Sequence, residues 1–508
     1  MSYKYKASPL GGGKLSAKLT DEGEYDGDHL IRPSGTFPSR GRLGRKREIM
    51  LKKLGDNDIL KNAVVKMADA GFPTPFAGGL EYSSPARGTW NIVHTGMLVP
   101  EAHEIFVCAA SCLRGVVLTA AEMNAMDRFS TVEVRENNLL DGDLEELLID
   151  GVTDIINKLP KRPPAVLVYT SCVHHFTGCD WNVMFSALRE RFPDIDFTDC
   201  YMNPTLRKSG LTPDQIMRRQ LYSLLKPCTI NAKAVAIIGN DLPTDTSSEL
   251  YTILTDLGLT IHEITSCKTY AEYQKMAESS LYISYYPSAK AGGDYLAKKL
   301  GRKHIYLPYS WDYDEIQASL ETLGKECEEL TGETGKERIK GILAGFEQRK
   351  AECEKAFKET LEVVGDTPIA IDYTFCPRPT SVAKMLLTHG FNVQRIYLDS
   401  FTGEEKDDYE FLKGNYPELE LYATVDVRSR FMATQSKKNE EKWLAVGQKA
   451  AYFLGTDYFV NVIEGGGMFG YEAVIDGLKL MREAYTEKKD MRSLVQIKGM
   501  GCGSCSLG

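Results

Sequence analysis

The chain has 508 residues, of which 43% are hydrophobic, and a formal net charge of -9 at pH 7. This length exceeds what one hydrophobic core accommodates and predicts roughly three domains. The acidic charge argues against a nucleic-acid partner or an anionic membrane surface, because both bind basic surfaces. No apolar stretch approaches the roughly 18 residues of a membrane-spanning helix, and residues 1–6 lack the apolar core of a signal peptide. We therefore expect a cytoplasmic protein with no membrane partner.

Three α/β units are predicted in chain order. Residues 1–75 are rich in Gly, Lys and Arg and are predicted to form an N-terminal extension. Short apolar runs then alternate with amphipathic stretches, which is the pattern of βαβ units around a parallel sheet. The pattern restarts at residues 232 and 368. We predict an α/β fold of three doubly wound, Rossmann-like domains with parallel sheets, and their predicted ranges are 76–227, 228–365 and 366–508.

Four of the twelve cysteines form two local pairs in the first domain: Cys108 with Cys112, and Cys172 with Cys179. The first two are four residues apart, which on a helix places both on one face. Cys172 follows the buried-strand pattern of residues 165–168, so it lies where open α/β sheets bind their ligands. In a cytoplasmic protein, such cysteines are metal ligands or reduced thiols rather than disulfides.

The two pairs suit a metal site. Four thiolates can hold zinc or a 4Fe-4S cluster, whose irons take one cysteine each. Structural zinc sites favour a shorter spacing than that from Cys172 to Cys179, which favours iron and sulfide. The alternative is that these cysteines are small buried hydrophobic residues. His174 and His175, between the second pair, could tune a cluster potential or relay protons.

Two glycine-rich segments imitate nucleotide-binding loops. The run Gly465-x-Gly467-x-x-Gly470 matches the dinucleotide fingerprint between a strand and a helix, but no later strand ends in the required acidic residue. We interpret this run as a tight turn over a cleft. Residues 11–14 resemble a phosphate loop, yet Leu15 stands where Ser or Thr must reach magnesium. The chain itself is therefore not expected to hydrolyse ATP.

Three further features each have two interpretations. Cys502 and Cys505 could ligate a second metal or act as a dithiol, or they belong to an untethered tail. Arg378 follows a strand end, where it could clamp an anion in the cleft or lie solvated in a turn. His103, five residues before Cys108, could hydrogen-bond near a cluster or have only a structural role.

Together these motifs resemble those of nitrogenase component 1, the superfamily of the molybdenum-iron protein subunits. In that family a His precedes a cluster cysteine by five residues, as His103 precedes Cys108 here. A second cluster cysteine lies in a Thr-x-Cys segment at a strand end, with Gly six and an acid eight residues later. The matching residues are Thr170, Cys172, Gly178 and Asp180. The resemblance covers residues 76–485.

The resemblance implies a reductase that takes single electrons from a separate, ATP-hydrolysing iron-sulfur protein similar to the nitrogenase iron protein. It implies a 4Fe-4S or larger iron-sulfur cluster and a two-fold assembly, either a homodimer or a pair with a paralogous subunit. Residues 465–470 would line the substrate cleft. The expected ligands are Cys108, Cys112, Cys172 and Cys179. In a second arrangement, Cys108 and Cys172 of two chains share one cluster.

The chain also departs from the family pattern. Residues 82–84, Tyr-Ser-Ser, stand where nitrogenases carry a third cluster cysteine. The positions of the two ligands of the iron-molybdenum cofactor fall near Ser284 and Val460, so dinitrogen reduction is not expected. An alternative within the superfamily is a scaffold that holds a maturing metal cluster and releases it. A third alternative is an NAD-dependent or zinc enzyme that only resembles the family.

Overall fold

The structure is a computed structural model that describes residues 63–79, 81–82, 84, 92–202, 210–432 and 442–496. In these ranges the strands form three sheets, two of four strands and one of six. Neighbouring strands are parallel, except for one antiparallel pair at the edge of the six-stranded sheet. The predicted α/β fold with parallel sheets is confirmed.

The elements alternate along the chain as βαβ units require. The strands are β1 (Val64–Lys66), β2 (His103–Ala109), β3 (Phe129–Val134), β4 (Ala165–Ser171), β5 (Asp196–Met202), β6 (Asn231–Ile237), β7 (Thr260–Glu263), β8 (Ser279–Ser284), β9 (Lys303–Tyr306), β10 (Ile369–Asp372), β11 (Val393–Tyr397), β12 (Glu420–Tyr422), β13 (Leu444–Val446) and β14 (Phe459–Val460).

The helices cover both faces of the sheets. They are α1 (Ile92–Met97), α2 (Ala110–Glu122), α3 (Glu136–Asp141), α4 (Leu144–Lys158), α5 (Cys172–Thr177), α6 (Trp181–Arg191), α7 (Pro213–Ser223), α8 (Glu249–Asp256), α9 (Tyr270–Lys275), α10 (Lys290–Leu300), α11 (Tyr313–Ala344), α12 (Phe346–Val364), α13 (Pro379–Thr388), α14 (Lys406–Asn415), α15 (Gln448–Leu454) and α16 (Gly470–Thr486). No helix in the described ranges is long and apolar enough to cross a bilayer.

The first sheet has the strand order β3-β2-β4-β5. All residues of β4 are buried, as expected of a central parallel strand with helices on both faces. The chain runs from β2 outward to β3 on one side, and later to β4 and β5 on the other. The strand order therefore reverses between β2 and β4. Such a reversal opens a crevice at the carboxyl ends of the two strands, where ligands bind.

The second sheet has the order β7-β6-β8-β9, and the third has the order β1-β12-β11-β10-β13-β14. Residues of both sheets and their helices, such as Leu250 and Leu478, share one hydrophobic core. The first sheet packs one face against the second domain, where Phe106 and Tyr282 belong to one cluster. Its other face packs against α4 and α6. The three sheets are thus joined by continuous apolar packing.

Strand β1 comes from the segment predicted as an N-terminal extension. Val64 pairs with Tyr422, which makes β1 the antiparallel edge strand of the third sheet. The rest of that segment up to residue 62, with its phosphate-loop imitation, lies outside the described residues. Cys502 and Cys505 also lie outside them.

Candidate metal centre at the switch point

Cys108 and Cys172 lie on either side of the switch point of the first sheet. Cys108 is near the carboxyl end of β2, and Cys172 follows β4 as the first residue of α5. Val107 pairs with Thr170, so the two cysteines are offset by only about one residue along the strands, roughly 3.3 Å. Two of the predicted ligands thus flank the crevice in which this fold binds ligands.

Cys112 lies in the first turn of α2, directly after β2, and is exposed. Cys108 is fully buried, and burial raises the pKa of its thiol to about 12, with smaller contributions from Cys112 and Cys172. Cys112 and Cys172 are thus each close enough to Cys108 to affect its thiol electrostatically. Burial keeps the Cys108 thiol protonated. Metal binding requires the thiolate, so a bound metal cation would displace this proton.

Cys179 lies apart from these three cysteines. It follows Gly178, whose φ of 75° turns the chain after α5, and its sulfur is 3.3 Å from the Thr177 hydroxyl. Its side chain packs with the apolar cluster on the α4 and α6 face of the sheet, whereas Cys108 belongs to the cluster on the opposite face. Among the described residues, no three or more His, Cys, Asp or Glu side chains surround one metal-sized point.

His103 lies at the amino end of β2, and Cys108 lies near the other end. Five residues of extended strand separate the two by roughly 16 Å. The His103 Nε2 atom is 2.8 Å from the Ser130 hydroxyl. Burial, together with the charge of Arg128, lowers the pKa of His103 to about 4. His103 is a neutral structural histidine, which is the second of its two predicted roles.

His174 and His175 follow Cys172 on α5. The Nδ1 atom of His174 accepts a hydrogen bond from the Ser171 N–H at 3.3 Å, as part of a capping box at the start of the helix. The His175 ring lies 5.0 Å from the Trp181 ring. The Nε2 atoms of both histidines are buried and have no hydrogen-bond partner. Helix α5 therefore carries two unsatisfied imidazole atoms as well as the thiol of Cys172.

The segment around residues 82–84 lies against the third domain. The Tyr82 N–H donates to the Val425 carbonyl at 2.6 Å, and the Tyr82 hydroxyl is 3.0 Å from that of Tyr452. The Lys449 ammonium donates to the Ser84 hydroxyl at 2.8 Å. At the position of the family's third cluster cysteine, Tyr82 and Ser84 instead form hydrogen bonds with residues of the third sheet region.

Ser284 and Val460, at the two positions predicted to lack cofactor ligands, make other contacts within the protein. The Ser284 hydroxyl, at the end of β8, is 2.8 Å from His304 Nε2, and His304 Nδ1 is 2.8 Å from the Asp294 carboxylate. Val460 is a buried residue of β14. Neither side chain offers the thiolate or imidazole ligand that the family's cofactor uses.

Arg378 has neither of its two predicted roles. Its side chain is 1% exposed, so it is not a solvated turn residue. The guanidinium pairs with Glu315 and with Asp408, the latter at 2.7 Å, and donates to the Tyr309 carbonyl. These carboxylates and carbonyls take up both terminal amino groups of the guanidinium, whereas its Nε atom is buried without a hydrogen-bond partner. Sequence alone did not show the acidic partners, because both come from other elements.

The glycine run 465–470 joins β14 to α16 and packs against the second domain. The Gly467 carbonyl accepts from the Asp245 N–H at 2.9 Å. A side chain at Gly467 would place its Cβ 1.9 Å from the Pro243 carbonyl oxygen, and the φ of 76° at this residue also favours glycine. The run is a tight interdomain turn in which protein backbone occupies the space that a nucleotide phosphate would need.

An exposed apolar pair, which the sequence analysis did not identify, lies on α3, the helix that follows β3. Leu140 is 83% exposed and Leu139 is 42% exposed, both on α3. This helix follows β3, whose last residue Val134 pairs with Ala109 next to Cys108. The detectable signal was a Leu-Leu pair within an acidic and polar run, because such a run otherwise predicts a solvated surface.

Comparisons with known proteins give a consistent result. A sequence profile described as Nitrogenase component 1 type Oxidoreductase matches residues 95–438, which is more than half of the chain. A solved structure described as nitrogenase Cp1 at pH 6.5 is similar, with a TM-score of 0.59, 13% identity, and coverage of 81% of this chain and 94% of that chain. A second, nitrogenase Cp1 at pH 5, has a TM-score of 0.55, 12% identity, and coverage of 84% and 94%. No curated protein matches the chain. The chain belongs to the nitrogenase component 1 type oxidoreductase family.

Proposed function

We propose that this protein is a nitrogenase-like reductase. It takes single low-potential electrons from an ATP-hydrolysing iron-sulfur partner and delivers them to a substrate in the interdomain cleft. The observation that carries the proposal is the switch point of the first sheet, where Cys108 and Cys172 flank the crevice and Cys112 lies in the first turn of the helix after β2. Family membership supports the oxidoreductase class.

The residues in the crevice fit an iron-sulfur cluster. Thiols are the ligands that such a cluster takes, and a bound cluster supplies one-electron redox chemistry. Cys108 would hold the cluster from the protein interior, where water is excluded, and Cys112 would hold it from the exposed rim. Burial and nearby hydrogen-bond donors are the means by which the protein sets a reduction potential.

Two ligand arrangements remain to be distinguished at the crevice. In one, Cys108, Cys112, Cys172 and Cys179 of one chain hold a cluster, which requires the turn after α5 to bring Cys179 to the near face. In the other, Cys108 and Cys172 of two chains share one cluster across a two-fold axis. Phe176, on α5 one turn after Cys172 and 74% exposed, supports a second chain at this surface.

The iron content separates the two arrangements. One shared 4Fe-4S cluster gives about four irons per dimer, and one cluster in each chain gives about eight. A Cys112→Ser variant that retains its full iron content contradicts the one-chain arrangement. A Cys179→Ser variant provides the matched test of the fourth ligand.

The exposed leucines of α3 suit the electron donor. A partner that delivers electrons must approach the crevice closely, and Leu139 and Leu140 are exposed on α3, the helix after the strand that pairs with β2. We assign the docking of the ATP-hydrolysing reductase to this surface, because an exposed apolar patch next to a redox site favours a protein partner.

Anaerobic purification tests the function directly. The proposal expects a coloured protein that contains iron and acid-labile sulfide and gives an EPR signal after reduction with dithionite. Addition of ATP and an iron-sulfur reductase should then support repeated turnover. A colourless protein that contains zinc and no iron would contradict the iron-sulfur assignment.

A cluster-assembly scaffold of the same superfamily is the second candidate. The observation that favours it is the filling of both cofactor positions: Ser284 is bonded to His304, and Val460 is buried. A site that lacks ligands for a permanent cofactor suits a metal cluster that is later released. Multiple turnovers of substrate per protein, driven by ATP and the reductase, would exclude the scaffold.

A further inference from the structure

Helix α5 presents His175 on the same side as Cys172. Residues three positions apart share one side of a helix, whereas residues two positions apart point in nearly opposite directions. His174 is therefore directed away from Cys172, and its Nδ1 atom caps the helix by accepting from Ser171 N–H. Of the two histidines, His175 has the position from which a group bound at Cys172 can be reached.

The His175 ring is held between two aromatic residues from different elements. Its centroid is 5.0 Å from that of Trp181 on α6 and 5.4 Å from that of Tyr201 on β5. Trp181 and Tyr201 also contact each other edge to face at 5.6 Å. The Tyr201 hydroxyl donates to the Asp199 carboxylate, which fixes the second wall. The ring cannot turn toward solvent without breaking this packing.

The Nε2 atom of His175 is buried and lacks a hydrogen-bond partner, as does that of the fully buried His174. A buried donor or acceptor without a partner destabilises the folded chain. Two such atoms in one short helix are more than a folded chain usually leaves unsatisfied. A partner for at least one of them is therefore expected from outside this chain's own side chains.

We propose that the His175 Nε2–H donates a hydrogen bond to a sulfur atom of the iron-sulfur cluster held at Cys172, and so raises its reduction potential. This inference rests on the proposed function, because it requires the cluster. A hydrogen-bond donor stabilises the reduced form more than the oxidised form, since reduction adds one negative charge. His175 is a positioning residue that tunes the cluster and does not ligate it.

A His175→Phe variant tests this role, because it keeps a ring between Trp181 and Tyr201 but removes the donor. We expect unchanged iron and sulfide content, and an equilibrium constant for one-electron reduction about tenfold lower, which equals 59 mV. We also expect loss of an exchangeable-proton coupling to the cluster, measured by ENDOR in H2O and D2O. His175→Gln, which retains a terminal N–H donor, should restore part of the potential.

His262 provides the matched control. It lies on β7 in the second domain, and its Nε2 atom is also buried and without a partner. His262→Phe should leave both the potential and the proton coupling unchanged.

Several outcomes overturn the inference. They are a wild-type cluster with no exchangeable-proton coupling, a His175→Phe variant with an unchanged potential, and loss of iron from that variant, which would make His175 a ligand. The wild-type ENDOR measurement needs no variant, so the test survives poor folding of His175→Phe. Absence of a cluster from the wild-type protein contradicts the proposed function instead, and iron analysis distinguishes that case.

Discussion

Where the third domain meets the linker helix α11, buried charges meet their partners: Arg378 pairs with Glu315 and with Asp408. On helix α5, which begins at Cys172 at the end of the first sheet, the Nε2 atoms of His174 and His175 are by contrast buried without hydrogen-bond partners. Buried ion pairs of this kind act within the chain, although the Nε atom of Arg378 also lacks a hydrogen-bond partner, whereas the unpartnered Nε2 atoms lie on the helix that begins at Cys172 and are available to a bound group. We therefore assign stability to the ion pairs of Arg378 and chemistry to the carboxyl end of the first sheet.

The largest expected effect is the loss of the cluster from the crevice. Cys108→Ser should lower the iron content to less than about a tenth of the wild-type value, because Cys108 supplies the buried ligand and metal affinity depends on the ligand count. Iron and sulfide analysis after anaerobic purification measures the effect.

Cys376→Ser is the control for this variant, since Cys376 is a buried cysteine of the third domain. The Cys376→Ser variant should retain the wild-type iron content. Near wild-type iron content in Cys108→Ser would remove the distinction between the two regions.

The second effect concerns the ion pairs of Arg378 and the stability that they give the folded chain. Arg378→Met leaves Asp408 buried without its principal cation, which should lower the free energy of unfolding by about 3–5 kcal/mol. Urea unfolding followed by tryptophan fluorescence measures the change, and the iron content of the folded protein should stay constant.

Arg162→Met is the matched control, because Arg162 pairs with Asp194 on the exposed surface. Its cost should stay below about 1 kcal/mol. Equal costs for the two variants would show that the buried network adds nothing beyond a surface ion pair.

The third effect is a pH dependence from a satisfied histidine in the first domain. The pKa of His103 is lowered to about 4 by burial, and that of an unfolded histidine is about 6.5. Between these values the unfolded chain binds more protons, so the free energy of unfolding falls as the pH falls from about 6.5 to about 4, by at most about 3 kcal/mol. His103→Asn should flatten this part of the pH profile in urea titrations. The same slope in variant and wild type would contradict the assignment.

The smallest effect concerns docking of the electron donor. Leu140→Asp places a charge in the apolar surface of α3 and should raise the reductase concentration needed for half-maximal electron transfer about tenfold. The maximal rate and the iron content should not change. Ile230→Asp, at a residue 51% exposed in the second domain, is the control and should behave like wild type. Equal effects of both variants would place the partner elsewhere.

The sequence predicted the parts of this molecule that depend on local pattern. The apolar run of β4 placed Cys172 at a strand end, and the structure places it there. The orientation of Cys179 could not be predicted, because the left-handed turn at Gly178 directs it to the other face of the sheet. The partners of Arg378 were also hidden, since Glu315 lies 63 residues earlier in the chain.

Strand β1 has a consequence for the order in which the chain folds during synthesis. Lys66 contacts Glu418 across a sequence separation of 352 residues. At about 5–20 residues per second, roughly 20–70 s pass before the ribosome supplies the partner of β1. The first sheet can form within that interval, because its strands lie close together in the chain. The cysteine crevice is therefore available for metal loading before the third sheet is complete.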